Sequence, residues 1–521
     1  MTGKAAYYIT TPIYYVNDSP HIGHAYTSLA CDVLARFMRL DGREVFFLTG
    51  TDEHGQKVEK SAAAAGRDPK EFVDEVSERF RALTELMNYS NDDFIRTTEE
   101  RHIRSCQELW RRIAANKSPK GRDNIYLDTY GGWYSVRDEA FYGEGELIKG
   151  ADGEKMAPSG APVEWVEEPS YFFRLEDWRE RLLEYYSGGA VAPVSRHNEV
   201  ESFVKGELFD LSISRTSFSW GIPVPGDDAH IMYVWLDALT NYITAAGFPD
   251  ERAENWDYWP ADLHVIGKDI VRFHAVYWPA FLMSAGIPLP KRVYGHGFLN
   301  VEGAKMSKSL GNVLSPKDMV DEFGLDQLRY FLLREVPFGN DGSFSREQII
   351  NRINSDLAND LGNLAQRVLS MISKNCDAKI PDPGDEGPDS GLAVYSALSG
   401  AQALRDKLRA HAERQAFHDI LEEVWKVIRE ANRCVDEDAP WALRKTDPAK
   451  MATVLYVLAE TIRHVAILLQ PFMPDSCGRM LDQLSVAEDA RTFDDLASPL
   501  VPGMDLPKPE GVFPRFVEEE A

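Results

Sequence analysis

Along the first fifty residues the apolar positions change period twice. Ala5 to Thr11 is rich in β-branched and aromatic residues and predicts a strand, which Pro12 and the cluster Asn17-Asp18-Ser19-Pro20 interrupt. From His21 the apolar residues Ile22, Leu29, Val33, Leu34, Phe37 and Leu40 recur at helical spacing until Asp41-Gly42, and Val45 to Leu48 predicts a second strand. Strand, helix and strand in that order make a β-α-β unit, the building block of parallel sheets that bind ligands at the carboxyl ends of their strands. Between 116 and 228 the pattern gives way to aromatics, glycines and short alternating runs such as Ile125 to Trp133 and Tyr171 to Leu175, which predicts a mixed insertion. Tyr233 to Leu236, Leu263 to Ile266 and Val293 to Gly297 then read as strand segments or strand ends, so the insertion splits the sheet. Beyond about residue 350, Leu357, Leu361, Leu364, Val368 and Met371 make one helical stripe and Leu455, Leu458, Ile462, Val465 and Leu469 another, predicting a helix bundle. Pro381 to Ser390 reads as a solvated loop within it, and the Pro-rich end from Ser498 as extended chain.

Length and charge narrow this picture. At 521 residues the chain exceeds what one core serves, and several packed units are expected. With 44% hydrophobic residues but no run of about 18 consecutive apolar positions, a membrane span is not expected. Nor does the N-terminus carry the apolar core and cleavage site of an export signal. The five cysteines, Cys31, Cys106, Cys376, Cys434 and Cys477, are widely separated, which fits reduced thiols in the cytoplasm and no zinc knuckle of cysteines. A net charge of -26 opposes nonspecific attraction to nucleic acid, so any RNA partner must meet local basic groups.

Two segments carry nucleotide chemistry. His21-Ile22-Gly23-His24 opens a helix after a strand and loop, where free N–H groups and the helix dipole favour phosphate; the imidazoles can donate to an α-phosphate while Gly23 lets an adenine ring approach the backbone. Far downstream, Lys305-Met306-Ser307-Lys308-Ser309 lies in a polar loop between Gly303 and Gly311, with two lysines and two hydroxyls able to hold a pyrophosphate leaving group. Taken singly, each segment is also compatible with exposed polar chain; their joint presence and order favour the nucleotide reading.

With both motifs intact the chain resembles the class I aminoacyl-tRNA synthetases, and over essentially its full length it is similar to the methionine-specific family. The resemblance implies an α/β fold: a split Rossmann-like parallel sheet over 1–115 and 229–300, a connective insertion over 116–228, a stem-contact segment with the lysine-serine loop over 301–350, and an α-helical anticodon-binding domain over 351–521. It implies a ligase that activates L-methionine with ATP, Mg2+ accompanying the phosphates, and transfers it to the 3' end of tRNA(Met), initiator and elongator alike. His21, His24, Lys305 and Lys308 are the implied electrostatic catalysts, and these with Gly23, His296 and Ser307 the implied ATP-binding set. Ile13, Tyr15, Asp52, Trp235, Ala238, Tyr242, Ile270 and His274 match positions that bind methionine, Asp52 holding the ammonium. An unbranched polarisable thioether suits such aromatic and aliphatic walls; each aromatic taken singly is better explained as core, and their joint placement beside the two nucleotide motifs favours the binding role. Activated homocysteine is removed in this family by cyclisation, and the insertion here is too short for a hydrolytic editing domain.

Where many members carry Cys-x-x-Cys zinc knuckles, this sequence has Ser135 and Asp138, then Met156 and Ser159. Hydroxyls and a thioether are poor structural zinc ligands, so no bound metal is expected and the knuckle should persist through packing around Trp133 and Tyr134. Asn363 and Arg367, four apart on one helical face, and Trp441 resemble the residues with which the family reads the anticodon; Asn, Arg and Trp are apt for hydrogen-bonding and stacking splayed bases. Gly511 to Phe516 resembles the segment closing the family's core, and without the oligonucleotide-binding extension of some relatives a monomer is expected. Rival readings are a class I synthetase for leucine or valine, a nucleotidyltransferase using the His-x-Gly-His loop alone, and an inactive RNA-binding scaffold.

Overall fold

The structure, a computed structural model, describes residues 5–16, 18–138, 140–150, 152–206, 208–301 and 313–518. It divides into two compact units, one formed by Ala6–Pro20 with Phe46–His296, the other by Met1–Ala5, His21–Val45 and Gly297–Ala521.

The first unit is built on a seven-stranded sheet. Ala6–Thr10 lies beside Leu263–Gly267 and Glu44–Asp52, and the paired strands run parallel: Thr10 is in register with His264, Tyr15 with Asp52, Gly50 with Ile95 and Gly267 with His296. Phe46, Phe47 and Leu48 are buried in succession, the continuous apolar pattern of a strand covered on both faces. At Gly50 a Cβ would lie 2.1 Å from the Ile95 carbonyl oxygen, so only glycine fits this closeness of strands.

The insertion carries an antiparallel sheet in which Ile125–Ser135 pairs along its length with Glu164–Phe173. Within the same stretch, however, Val191–Ala192 pairs with Val293–Tyr294 and forms an edge strand of the parallel sheet. Two residues are too few to announce themselves in sequence. Tyr233 to Leu236 corrects the strand reading: Tyr233 precedes the helix Val234–Ala245, which holds Trp235 and Leu236 in its first turn. A short apolar run bears no period of its own and fits strand or helix alike.

In the second unit Ile22–Leu40 is a helix, stopped by Asp41 and by Gly42 at φ 84°. Its buried face carries Asp32, whose Oδ2 lies 2.6 Å from Arg329 Nη2, both side chains fully buried. Arg329 also donates to the carbonyls of Phe472 and Pro471, at 2.9 Å each. The helix thereby joins the C-terminal bundle, to which Arg409 also binds Asp41 at 2.6 Å. In the bundle, Leu357, Leu361, Leu364 and Val368 are buried as the stripe predicts, while Ile372, one turn on from Val368 at i+4, completes it rather than Met371. Pro448–Leu469 is long and apolar enough to cross a membrane, yet 89% of its apolar window is buried as a core helix. Its Glu460 is held by Arg463 at 2.5 Å and by the Leu500 amide at 3.0 Å.

A buried ion pair with one member removed leaves an uncompensated charge, worth about 3–5 kcal/mol of destabilisation. Arg329→Ala is therefore expected to shift the urea midpoint of the transition containing the bundle strongly downward, while Arg252→Ala, on the surface beside Asp250, should shift it by little. Denaturation followed by circular dichroism checks both.

Candidate functional site

The parallel arrangement sets the carboxyl ends of its strands at one edge, and Ile13, Tyr15, Asp52, Ile270 and His274, among the residues expected to bind methionine, end or follow those strands. Ile13 and Tyr15 follow the strand Ala6–Thr10; Asp52 ends its own strand, is buried, and its carbonyl accepts from the Val16 amide at 3.2 Å. Ile270 and His274 follow the strand Leu263–Gly267, through a short turn and the π-helical stretch Phe273–Tyr277. Trp235, Ala238 and Tyr242 come from the helix Val234–Ala245. Ile13, Tyr15, Trp235 and Ile270 all pack, partly buried, against the core cluster that contains Tyr242. The structure thus gathers this set within one unit.

Its polar edges are fixed. The Tyr242 hydroxyl and His274 Nε2 are 2.8 Å apart, and His274 Nδ1 lies 3.0 Å from the Ile270 carbonyl. A carbonyl only accepts, so Nδ1 carries the ring proton and Nε2 receives the tyrosine O–H. Burial lowers the His274 pKa to about 4, keeping the ring neutral at pH 7. The Tyr242 carbonyl in turn accepts from the buried Tyr8 hydroxyl at 2.8 Å. Tyr15 donates from its hydroxyl to the His54 carbonyl at 3.0 Å. Trp235 lies flat on Phe273, ring centres 3.7 Å apart and planes 5° from parallel, so Phe273 braces the wall that Trp235 presents. Sequence reasoning passed over Phe273; its place one residue before His274 was the available signal. His296 ends the strand Val293–His296 and is buried.

The second unit holds the nucleotide motif. His21 caps the helix: its Nδ1 accepts from the Gly23 amide at 3.1 Å while His24 Nδ1 accepts from the His21 amide at 3.0 Å. With both Nδ1 atoms accepting, each neutral ring carries its proton on Nε2, as a donor on the side away from the cap. The rings stand 3.8 Å apart. Burial, with His21 beside it, pulls the His24 pKa well down, so it remains a neutral donor. Lys305, Ser307 and Lys308, with Met306 and Ser309, lie outside the described residues. Their downstream flank is described, and there the Ile22 amide donates to the Leu314 carbonyl at 3.0 Å, one residue from His21.

On the same unit Asn363 and Arg367 open the helix Asn363–Asn375, Asn363 exposed. The Arg367 guanidinium stands 5.6 Å over the Trp441 ring and 2.8 Å from Asp436, and Trp441 is 49% exposed. The three expected to read RNA therefore include one stacked pair with an aromatic face open to solvent.

In the insertion, the Asp138 amide donates to Ser135 Oγ at 3.2 Å, and Asp138 Oδ2 accepts from the hydroxyls of Tyr142, at 3.0 Å, and Ser159. Arg137 spans to the Ser159 carbonyl at 2.7 Å. These groups satisfy one another, and two hydroxyls, a carboxylate and the Met156 thioether do not fit a structural zinc. The turn is cross-linked by hydrogen bonds in addition to the expected packing, in which Lys155 lies 4.3 Å over the Trp133 ring.

Known proteins are similar to this chain over almost its whole length. The family described as tRNA synthetases class I (M) matches residues 7–369, and the anticodon binding domain of methionyl tRNA ligase matches residues 380–521. A methionine–tRNA ligase of Brucella suis is 57% identical over 99% of both chains, and one of Rickettsia bellii 53% identical over 98% of this chain and 99% of its own. The Mycobacterium tuberculosis methionyl-tRNA synthetase in complex with methionyl-adenylate superposes with a TM-score of 0.94 at 52% identity, covering 98% of this chain and all of its own. Matched from end to end in sequence and in structure, the chain belongs to the methionine–tRNA ligases of class I.

Proposed function

We propose that the chain charges tRNA(Met) in two steps with the residues described above as its machinery. Asp52 holds the methionine ammonium, and Ile13, Tyr15, Trp235, Ala238, Tyr242, Ile270 and His274 enclose the thioether. ATP, entering with Mg2+ on its phosphates, lies against the start of the helix Ile22–Leu40: Gly23 leaves room for the adenine, and His21, His24, His296, Lys305, Ser307 and Lys308 hold the triphosphate. A methionine carboxylate oxygen attacks the α-phosphorus; an O–P bond forms as the bond to pyrophosphate breaks, giving methionyl-adenylate. The Nε2–H groups of His21 and His24 and the ammonium groups of Lys305 and Lys308 stabilise the charge that builds on the phosphate oxygens. A ribose hydroxyl at the 3' end of the tRNA then attacks the methionyl carbonyl carbon, and AMP leaves. No side chain becomes covalently attached to substrate.

The observation that carries this reading is the reciprocal cap at His21 and His24, which occupies both Nδ1 atoms and commits both Nε2 protons as donors. Asn363, Arg367 and Trp441 read the anticodon of initiator and elongator tRNA. We further infer a cytoplasmic monomer with a metal-free knuckle, a reading supported by five cysteines that form no disulfide and by the mutually satisfied Ser135, Asp138 and Ser159.

Pyrophosphate exchange separates these roles. His24→Ala is expected to lower kcat by about 10²–10³ while moving the methionine KM little, because it removes a donor to the transition state. Trp235→Ala should instead raise the methionine KM about tenfold or more, with the ATP KM near its original value. Trp441→Ala should leave exchange intact and lower kcat/KM for tRNA charging by roughly 5- to 150-fold, the worth of about 1–3 kcal/mol of base stacking. Equal losses in exchange and charging for Trp441→Ala would remove it from the anticodon site.

A further inference from the structure

Asp237 sits in the first turn of the helix Val234–Ala245, buried, between Trp235 and Ala238. A buried carboxylate persists only if its charge is matched and its oxygens are hydrogen-bonded. Here each oxygen has its own imidazole: Oδ2 lies 2.7 Å from His54 Nδ1 and Oδ1 2.8 Å from His102 Nε2. An ionised carboxylate only accepts, so both ring nitrogens donate to it. Burial pushes the Asp237 carboxyl upward, but the two imidazoles, His54 foremost, outweigh it and hold the pKa at about 2.

What the carboxylate joins gives it a role. His54 stands two residues after Asp52, and its carbonyl accepts the Tyr15 hydroxyl at 3.0 Å. The segment is pinned on its other side, where Arg96 binds Glu53 at 2.7 Å and 2.9 Å and Trp220 donates to the Glu53 carbonyl at 2.6 Å. The helix bearing Asp237 also presents Trp235, Ala238 and Tyr242. His102, buried in the helix Glu100–Ala115, anchors the second oxygen.

His102, Cys106 and Asp237 are also close enough together to invite comparison with a metal site, their ligand atoms lying within 4.8 Å of one another. The 2.8 Å between His102 Nε2 and Asp237 Oδ1 is filled by a shared proton, and burial raises the Cys106 pKa well above the usual thiol range, so the sulfur stays protonated. The geometry is that of a hydrogen-bonded clamp.

We propose that Asp237 is a positioning residue for methionine: through His54 it fixes the ammonium-binding Asp52 segment against the helix carrying Trp235 and Tyr242, and so sets the length of side chain the site accepts. The proposal rests on the assignment of Asp52 and Trp235 to methionine made above. A clamp of this kind acts on the amino acid and leaves ATP binding to other groups.

The test is steady-state pyrophosphate exchange by the full-length protein with methionine and with ethionine, its homologue one methylene longer. Asp237→Asn, which presents an amide N–H to one of two N–H donors, should raise the methionine KM about tenfold or more, leave the ATP KM within about threefold, and lower the preference for methionine over ethionine severalfold. His54→Ala should do the same, whereas His54→Asn, whose side-chain N–H stands in for ring Nδ1–H, should restore most of the methionine KM and the preference. The proposal is overturned if His54→Ala, folded, keeps both the methionine KM and the preference. It is equally overturned if His54→Asn behaves as His54→Ala, or if stoichiometric transition metal copurifies and is lost in Cys106→Ser. Asp52→Ala run in parallel distinguishes the two levels of argument. An unchanged methionine KM there defeats the binding-site assignment, while a large rise there beside an unaffected His54→Ala defeats the clamp alone.

Discussion

A parallel ladder forces every strand to end at the same edge, and the candidate site depends on that constraint. Tyr15 stands opposite Asp52 and Gly267 opposite His296 because the backbone hydrogen bonds fix those registers. Side chains alternate faces along a strand, so a slip of one residue in Glu44–Asp52 would turn Asp52 away from the face it now occupies. The tight fit at Gly50, which a side chain would break against Ile95, resists such a slip. From this edge the chain needs only short excursions, a turn at Lys268–Ile270 and a π-helical stretch at Phe273–Tyr277, to deliver Ile270 and His274.

The chain's acidity is handled by local pairing. Asp237 between two imidazoles, Glu53 on Arg96, Asp32 on Arg329 and Glu460 on Arg463 are all buried carboxylates with a dedicated partner. Most of these contacts tie distant segments together: Asp32 and Arg329 lie 297 positions apart in sequence, His54 and Asp237 183, and Glu460, paired with Arg463 on its own helix, also accepts from the Leu500 amide 40 positions on. The same economy bears on RNA binding. Arg367 already faces Asp436, so under the proposed anticodon role of Arg367 and Trp441 a base competes with that carboxylate while gaining the exposed Trp441 face. Discrimination by a few shaped groups is compatible with a net charge of -26, where diffuse attraction is not.

Sequence patterns revealed what local chemistry dictates. The helix from Ile22 to its stop at Asp41-Gly42, the strands at Ala6–Thr10 and Leu263–Gly267, and the buried stripe of Leu455, Leu458, Ile462, Val465 and Leu469 all follow from period and punctuation. Residues singled out by resemblance, such as Tyr242 and His274, are brought to hydrogen-bonding distance. Three things were hidden for physical reasons. Tyr233 to Leu236 had too few residues to show a period, and proved to be the cap and first turn of a helix rather than a strand. Val191–Ala192 joins the parallel sheet through partners a hundred residues away, which no local pattern records. The clamp of His54, His102 and Asp237 unites three segments by side-chain hydrogen bonds, and none of its members is unusual where it stands in sequence.

The central claim is that the wall of Trp235 on Phe273, closed by Tyr242 and His274, selects an unbranched thioether. Pyrophosphate exchange by the unaltered protein with each of the twenty amino acids tests it most directly. The account predicts exchange that depends on methionine and falls by at least tenfold with leucine or valine, whose branched chains do not match the cavity. Exchange sustained by leucine or valine in preference to methionine would contradict it.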